Sequence, residues 1–194
     1  MDGIERCIDD EILFEIPESW EWVRLSDVVV KEIKRGKSPK YADKSNVRVF
    51  AQKCNVKAGG IDMSLAKYLD SNVFGKYSIE EYMQDKDIIV NSTGNGTLGR
   101  IGMFRDTDRI NDDVIVPDSH VTVIRVSKEL SIEYAYYILK YYQPYLESLG
   151  SGSTNQTELK PVVISQLLVP LPPRHEQNRI VCIINKMLEL TLSL

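Results

Sequence analysis

Apolar and polar positions change period along the chain, and each change marks out an element. Val47, Val49 and Phe50 alternate with Arg48, the period of two expected of a half-buried strand. Short apolar runs at residues 88–90, 101–104, 114–116 and 121–126 follow, each bounded by Gly, Asp, Asn or Pro. They predict further strands in a β-rich core without regular βαβ units. Two segments carry the helical period instead. Ser131 can N-cap a helix over residues 132–149, with Ile138, Leu139, Tyr142, Leu146 and Leu149 on one side, Gly150 as a stop and Pro144 as an expected kink. Six of the ten tyrosines fall in this helix, placed either to stack on bases or to pack on a sheet. The second helix begins after Pro172-Pro173 and runs to the end of the chain, with Ile180, Ile184, Met187 and Leu188 in a stripe that Val181 and Ile183 widen. That stripe either folds back onto the domain or forms the seam of an interface with another chain. The fold class expected is α/β of the α+β type, a mixed, β-rich domain over residues 1–170 and an amphipathic helix within 171–194. Residues 176–194 would make a helix of about 28 Å at the usual rise.

Composition narrows the class. A chain of 194 residues with 43% hydrophobic residues is one domain's worth and can bury a core without disulfides. Cys7, Cys54 and Cys182 are odd in number and widely spaced, which fits neither a disulfide framework nor a CxxC zinc site. No apolar run reaches the roughly 18–20 residues of a membrane span, and the acidic start lacks the regions of a signal peptide, so a cytoplasmic location is expected. The net charge of −4 conceals segregation: residues 1–30 carry a net of −7, residues 31–57 a net of +7 and the remainder −4. The basic stretch is either a phosphate-binding footprint or a solvated lysine-rich loop.

Catalytic chemistry has no visible residues. Gly94-Asn95-Gly96-Thr97-Leu98-Gly99 satisfies GxGxxG after an apolar strand, but a dinucleotide site needs a helix next, and Arg100-Ile101-Gly102-Met103-Phe104 reads as a strand. A glycine-rich turn decorated by Asn91, Ser92, Thr93, Asn95 and Thr97 is the preferred reading. His120 and His175 lack Cys or carboxylate neighbours at ligand spacing and read as surface or packing residues, so no metal site is expected. Asp112-Asp113 could bind a cation but reads as a solvated pair. A second polar cluster, Ser151-Gly152-Ser153-Thr154-Asn155-Gln156-Thr157, offers hydroxyls and amides of the kind that contact bases and phosphates; the plainer reading is a linker.

Five segments in order resemble one family. Residues 14–27, with Ile16-Pro17-Glu18-Ser19-Trp20-Glu21-Trp22 at their centre, are similar to the opening of a target recognition domain in the specificity subunit of type I restriction-modification enzymes. The resemblance continues through residues 35–41, 92–102 and 151–159, and closes at residues 169–181, where Leu171-Pro172-Pro173-Arg174-His175-Glu176-Gln177 is similar to the start of the family's long helix. The resemblance implies that residues 1–170 form a DNA target recognition domain and residues 171–194 part of a spacer and dimerisation helix. It implies a non-catalytic subunit that reads one half of a bipartite site on double-stranded DNA through loops in the major groove. Its partners would be a methyltransferase subunit using S-adenosylmethionine and a restriction subunit using ATP and Mg, with no cofactor in this chain. A complete specificity subunit has two such domains, so this chain is either a half-size subunit that forms a homodimer through its last helix or a single excised domain. Base or near-base contacts are expected of Arg35, Lys37, Ser38, Lys40, Tyr41, Gln52, Lys53, Asn95, Thr97, Arg100, Thr154, Asn155 and Gln156, and interface contacts of Ile180, Ile183, Ile184, Met187 and Leu188. Two competing readings are a nucleotide-binding enzyme using residues 94–99 and a decoy that docks on the methyltransferase without binding DNA.

Overall fold

The computed structural model describes residues 7–149 and 158–193. It is a mixed α/β fold, in agreement with the expected class, and it is layered. Strands β1 (Glu21–Arg24), β2 (Lys34–Arg35), β3 (Tyr41–Ala42), β4 (Val47–Phe50) and β5 (Lys67–Leu69) precede a short helix, α1 (Ser71–Phe74). Strands β6 (Ile88–Asn91), β7 (Ile101–Met103), β8 (Val114–Pro117) and β9 (Val121–Ile124) lead into α2 (Ile132–Ser148). The chain ends with α3 (Pro161–Ser165), β10 (Leu168–Leu171) and α4 (Arg174–Leu192). One four-stranded sheet, antiparallel throughout, has the order β2-β9-β6-β7. The other runs β3-β5-β4-β8 and contains one parallel pair, β4 with β8.

The strand period of two explains the layering. On β6, Ile88 and Val90 join a core that includes Leu139 and Leu146 of α2, while Ile89 between them joins a second core with Phe50, Phe104 and Ile115. On the other sheet, Phe50 and Ile115 face that second core, while Val49 and Val116 enter a third with Leu69 and Tyr77. Both sheets are therefore covered on both faces, which is why the central strands read as continuous apolar runs. The same covering changes the fate of Arg48. The expected half-buried strand is buried at all four positions, and Arg48 is only 8% exposed. Its Nε donates to Asp113 Oδ2 at 2.6 Å and its guanidinium lies 4.6 Å from the Tyr68 ring centroid, so its charge is neutralised inside the fold. Asp113, expected to be solvated, is the partner.

Helix α2 spans the expected residues and runs through Pro144. Ser131 caps it by position but its hydroxyl makes no capping bond; its backbone N–H donates instead to Gln177 Oε1 at 2.6 Å. Tyr134 and Tyr142 donate their hydroxyls to the carbonyls of Pro170 and Leu168 on β10, which assigns these two tyrosines to packing. β10 pairs antiparallel with β1, and neither strand shows in the hydrophobic pattern. Helix α4 starts two residues earlier than the 176–194 reading and is 19 residues long. Its first half folds back: Ile180 and Val181 pack on the α2 core, Trp20 Nε1 donates to Glu176 Oε2 at 2.5 Å, and Gln177 is buried. Its second half leaves Ile183, Met187, Leu188 and Leu190 exposed. No helix among the described residues is long and apolar enough to cross a membrane.

Candidate nucleic-acid interface

Four connections and the start of a fifth segment meet at one end of the sheets. Between β2 and β3, the Gly36 N–H donates to Val121 O at 3.0 Å and Lys37 bridges Asp118 in parallel register. This passage is tight enough that a Cβ on Gly36 would lie 2.1 Å from the Pro117 carbonyl oxygen. The turn after β4 is tied to β6 by Asn91 Nδ2, which donates to Gln52 O at 3.1 Å. The β6–β7 connection is tied to the β8–β9 turn by the Ser92 N–H, which donates to His120 O at 2.8 Å. Thr93 sits at the centre: its hydroxyl donates to Gln52 Oε1 at 2.8 Å and lies 2.5 Å from His120 Nδ1. With Thr93 donating to Gln52, His120 Nδ1 is the donor to Thr93. Thr93 also bridges Glu158, and the Leu159 N–H donates to Ser92 O at 2.7 Å. Glu158 thus brings the chain after residues 150–157 to this same end.

Two of the three polar loops singled out from sequence lead here, and Glu158, the first described residue after the third, lies here too. Gln52 and Thr97 are half-buried, while Ser38, Tyr41, Lys53 and Asn95 are exposed around them. The glycine loop connects two antiparallel strands with Gly94, Gly96 and Gly99 at positive φ, as the turn reading expected, and no helix follows it. Arg100 staples this loop from beneath, its guanidinium donating to the carbonyls of Asn55 at 2.8 Å and Gly96 at 2.9 Å. Asn91 and Ser92, expected to decorate the turn, are buried and bonded inward. Thr154, Asn155 and Gln156 lie outside the described residues.

The basic stretch is partly spent on internal partners. Arg35 pairs with Glu158 at 2.6 Å, Lys37 with Glu81 at 2.6 Å and Lys40 with Asp70 at 2.7 Å. Burial pushes Glu81 up, but hydrogen bonds from Lys37 and Ser78 outweigh it and hold the carboxyl below its ordinary value. The hydrogen bond from Lys40 likewise lowers Asp70. Burial, with Arg125 nearby, lowers Lys31. Lys44, Lys53 and Lys57 are exposed and have no salt bridge among the described residues. Exposed pairs contribute about 1 kcal/mol or less, so a phosphate can replace the exposed Glu158 at little cost.

Lys67 and Asp118, which the sequence reading passed over, and His120, which it read as a surface or packing residue, complete the site. Tyr41, Gln52, Lys53, Lys67, Asp118 and His120 line a cleft of about 260 Å³. Asp118 and His120 were hidden because a turn between two strands, Pro117-Asp118-Ser119-His120, carries no ligand spacing or charge run; only the β8–β9 topology aims it at the other loops.

Residues 17–194 match the model of the type I restriction modification DNA specificity domain. The chain belongs to this family. The specificity domain is 29% identical over 169 residues to the type I restriction enzyme MjaVIII specificity subunit of Methanocaldococcus jannaschii, covering 84% of this chain and 38% of that protein. Among solved structures it is similar to a chain from a study of complex assembly and conformational transition of the type I R-M system (TM-score 0.71, 18% identity, 93% of this chain and 41% of that one). It is also similar to the HsdS subunit of Thermoanaerobacter tengcongensis (TM-score 0.67, 18% identity, 93% and 40%). The fold is therefore that of these specificity subunits, and the chain spans about two fifths of their length.

Proposed function

We propose that this specificity domain reads double-stranded DNA with its polar end, as one half of a bipartite recognition unit, and catalyses nothing itself. The observation that carries the reading is the convergence of residues 35–41, 51–53, 92–97, 118–120 and 158 on one surface. That surface combines fixed hydroxyl and amide groups with Lys53, an exposed lysine that has no salt bridge among the described residues. Phosphate contacts fix register without carrying sequence, and amide or hydroxyl side chains on a rigid frame discriminate base edges. Lys44, Lys53 and Lys57 supply the former; Gln52, Asn95 and the loop that ends at Glu158 supply the latter. Arg100 acts behind them, holding the glycine loop in shape.

The second half of the unit, and the methyltransferase and restriction subunits that would use S-adenosylmethionine, ATP and Mg, belong to the same proposal. Helix α4 is the element through which they would be engaged. Its apolar residues Ile183, Met187 and Leu188 stay exposed beyond the part that packs on α2, which supports that role, whereas Ile180 is taken by the domain's own core.

Fluorescence anisotropy of labelled duplexes across a salt series tests the DNA reading. Affinity should fall with salt at a log–log slope of about −0.9 per phosphate contact. Replacing Lys44, Lys53 and Lys57 together by alanine should flatten that slope and weaken binding to all sequences alike. Binding with no salt dependence, or none at all to any duplex, contradicts the proposal.

A further inference from the structure

One acidic group stands apart from the other residues of the cleft. Three charged side chains in the described residues are buried: Arg48, Asp87 and Asp118. Arg48 is paired with Asp113 and Asp87 with Arg125, at 2.6 and 2.8 Å. Asp118 is 2% exposed and has no salt bridge among the described residues. Its Oδ1 accepts the His120 N–H at 2.8 Å, and no other side-chain bond to it is made within the described residues. Burial pushes its carboxyl up, so the fold bears a cost for keeping a charge there.

The turn does not require that charge. An asparagine oxygen accepts the same His120 N–H and holds the same turn without desolvating a carboxylate. What only the carboxylate offers is a second oxygen that accepts and never donates, and Asp118 is among the residues that line the cleft. Lys53 and Lys67, which line the same cleft, provide cations for a phosphate, and a buried anion in that cleft repels one. The ligand that fits is a neutral hydrogen-bond donor carried on a strand of phosphates.

We infer that Asp118 is a specificity-determining residue that accepts a hydrogen bond from the exocyclic amino group of a cytosine (N4) or an adenine (N6) in the major groove. Guanine and thymine present O6 and O4 acceptors at the corresponding place, and a carboxylate rejects them. The inference rests on the DNA-reading function proposed above.

Selection of bound duplexes from a randomised library, with the full native chain and with Asp118→Asn, tests it. The native motif should contain one position restricted to C or A, and Asp118→Asn should relax that position by roughly tenfold or more while leaving the others intact. At that position, 2-pyrimidinone in place of cytosine removes N4, and purine in place of adenine removes N6. The one that weakens native binding identifies the base, and the same analogue should cost the Asp118→Asn chain nothing further. Because the analogue measurement leaves the protein unaltered, it decides even if Asp118→Asn melts early. A motif from which no single amino group can be deleted at a cost overturns the assignment. So does an unchanged motif with a uniform rise in affinity, which would make Asp118 only a general repulsive charge. If the native chain selects no motif at all, the failure lies with the DNA-reading function itself.

Discussion

Arg48 shows how far a single residue's role depends on what covers its strand. Its guanidinium donates to Asp113 and to the Tyr68 hydroxyl at 3.0 Å, and nothing of the strand around it reaches solvent. A buried pair adds little net stability over apolar packing, but removing one partner strands the other charge. Arg48→Ala should therefore destabilise the fold by about 3–5 kcal/mol, measured by denaturant unfolding. Arg48→Ala and Asp113→Ala together should cost less than the sum of the two single changes. A loss below about 1 kcal/mol for Arg48→Ala would mean that the side chain is solvated. The partner lies 65 residues away in sequence, which is why a charge count along the chain assigns Arg48 to the surface footprint.

Gln177 links two elements and sets where α4 leaves the domain. It is 1% exposed; its Oε1 accepts the Ser131 N–H, and its Nε2 donates to the carbonyls of Glu129 at 3.0 Å and Pro172 at 2.9 Å. Alanine there removes the partner of three backbone groups, and two of them, the Ser131 N–H and the Pro172 carbonyl, are in buried bonds, each costing about 1–3 kcal/mol where water cannot reach it. Gln177→Ala should lower the melting temperature by several degrees and loosen α4 in hydrogen exchange, whereas Met187→Lys on the exposed half should change stability by less than about 0.5 kcal/mol. An unchanged melting temperature for Gln177→Ala would show that α4 is anchored by its apolar contacts alone. The elements legible in sequence were those with an apolar period of their own: α2, α4 and strands β4, β6, β7, β8 and β9. Strands β2 and β3, of two residues each, β5, of three, and the pair β1 and β10 exist through pairing with distant partners, and no local pattern announces them. The polar loops were legible as loops because Gly, Asn, Ser and Thr form turns for identifiable reasons. That they share a surface, that Arg100 props one of them, and that Asp118 and His120 complete it all depend on strand order.

Across the whole molecule, the concealed charge segregation has an architectural counterpart. The acidic start contributes Glu11, which pairs with Arg24 at 2.7 Å beside β1 and β10, away from the loops at the polar end. The basic stretch feeds those loops, with Arg35 held by the exposed carboxylate of Glu158, Lys37 and Lys40 by the more buried carboxylates of Glu81 and Asp70, and Lys53 lining the cleft. The exposed apolar stripe occupies the second half of α4, a different element from every loop of the polar end. The proposed DNA contact and the proposed protein contact therefore fall on separate elements. Hydrogen exchange of the backbone amides, with and without a duplex selected by the native chain, tests that separation most directly. The expected result is slowed exchange within residues 36–41, 52–54, 93–100 and 118–120, with the second half of α4 unchanged. Slowed exchange in α4 with none in those four segments would contradict it.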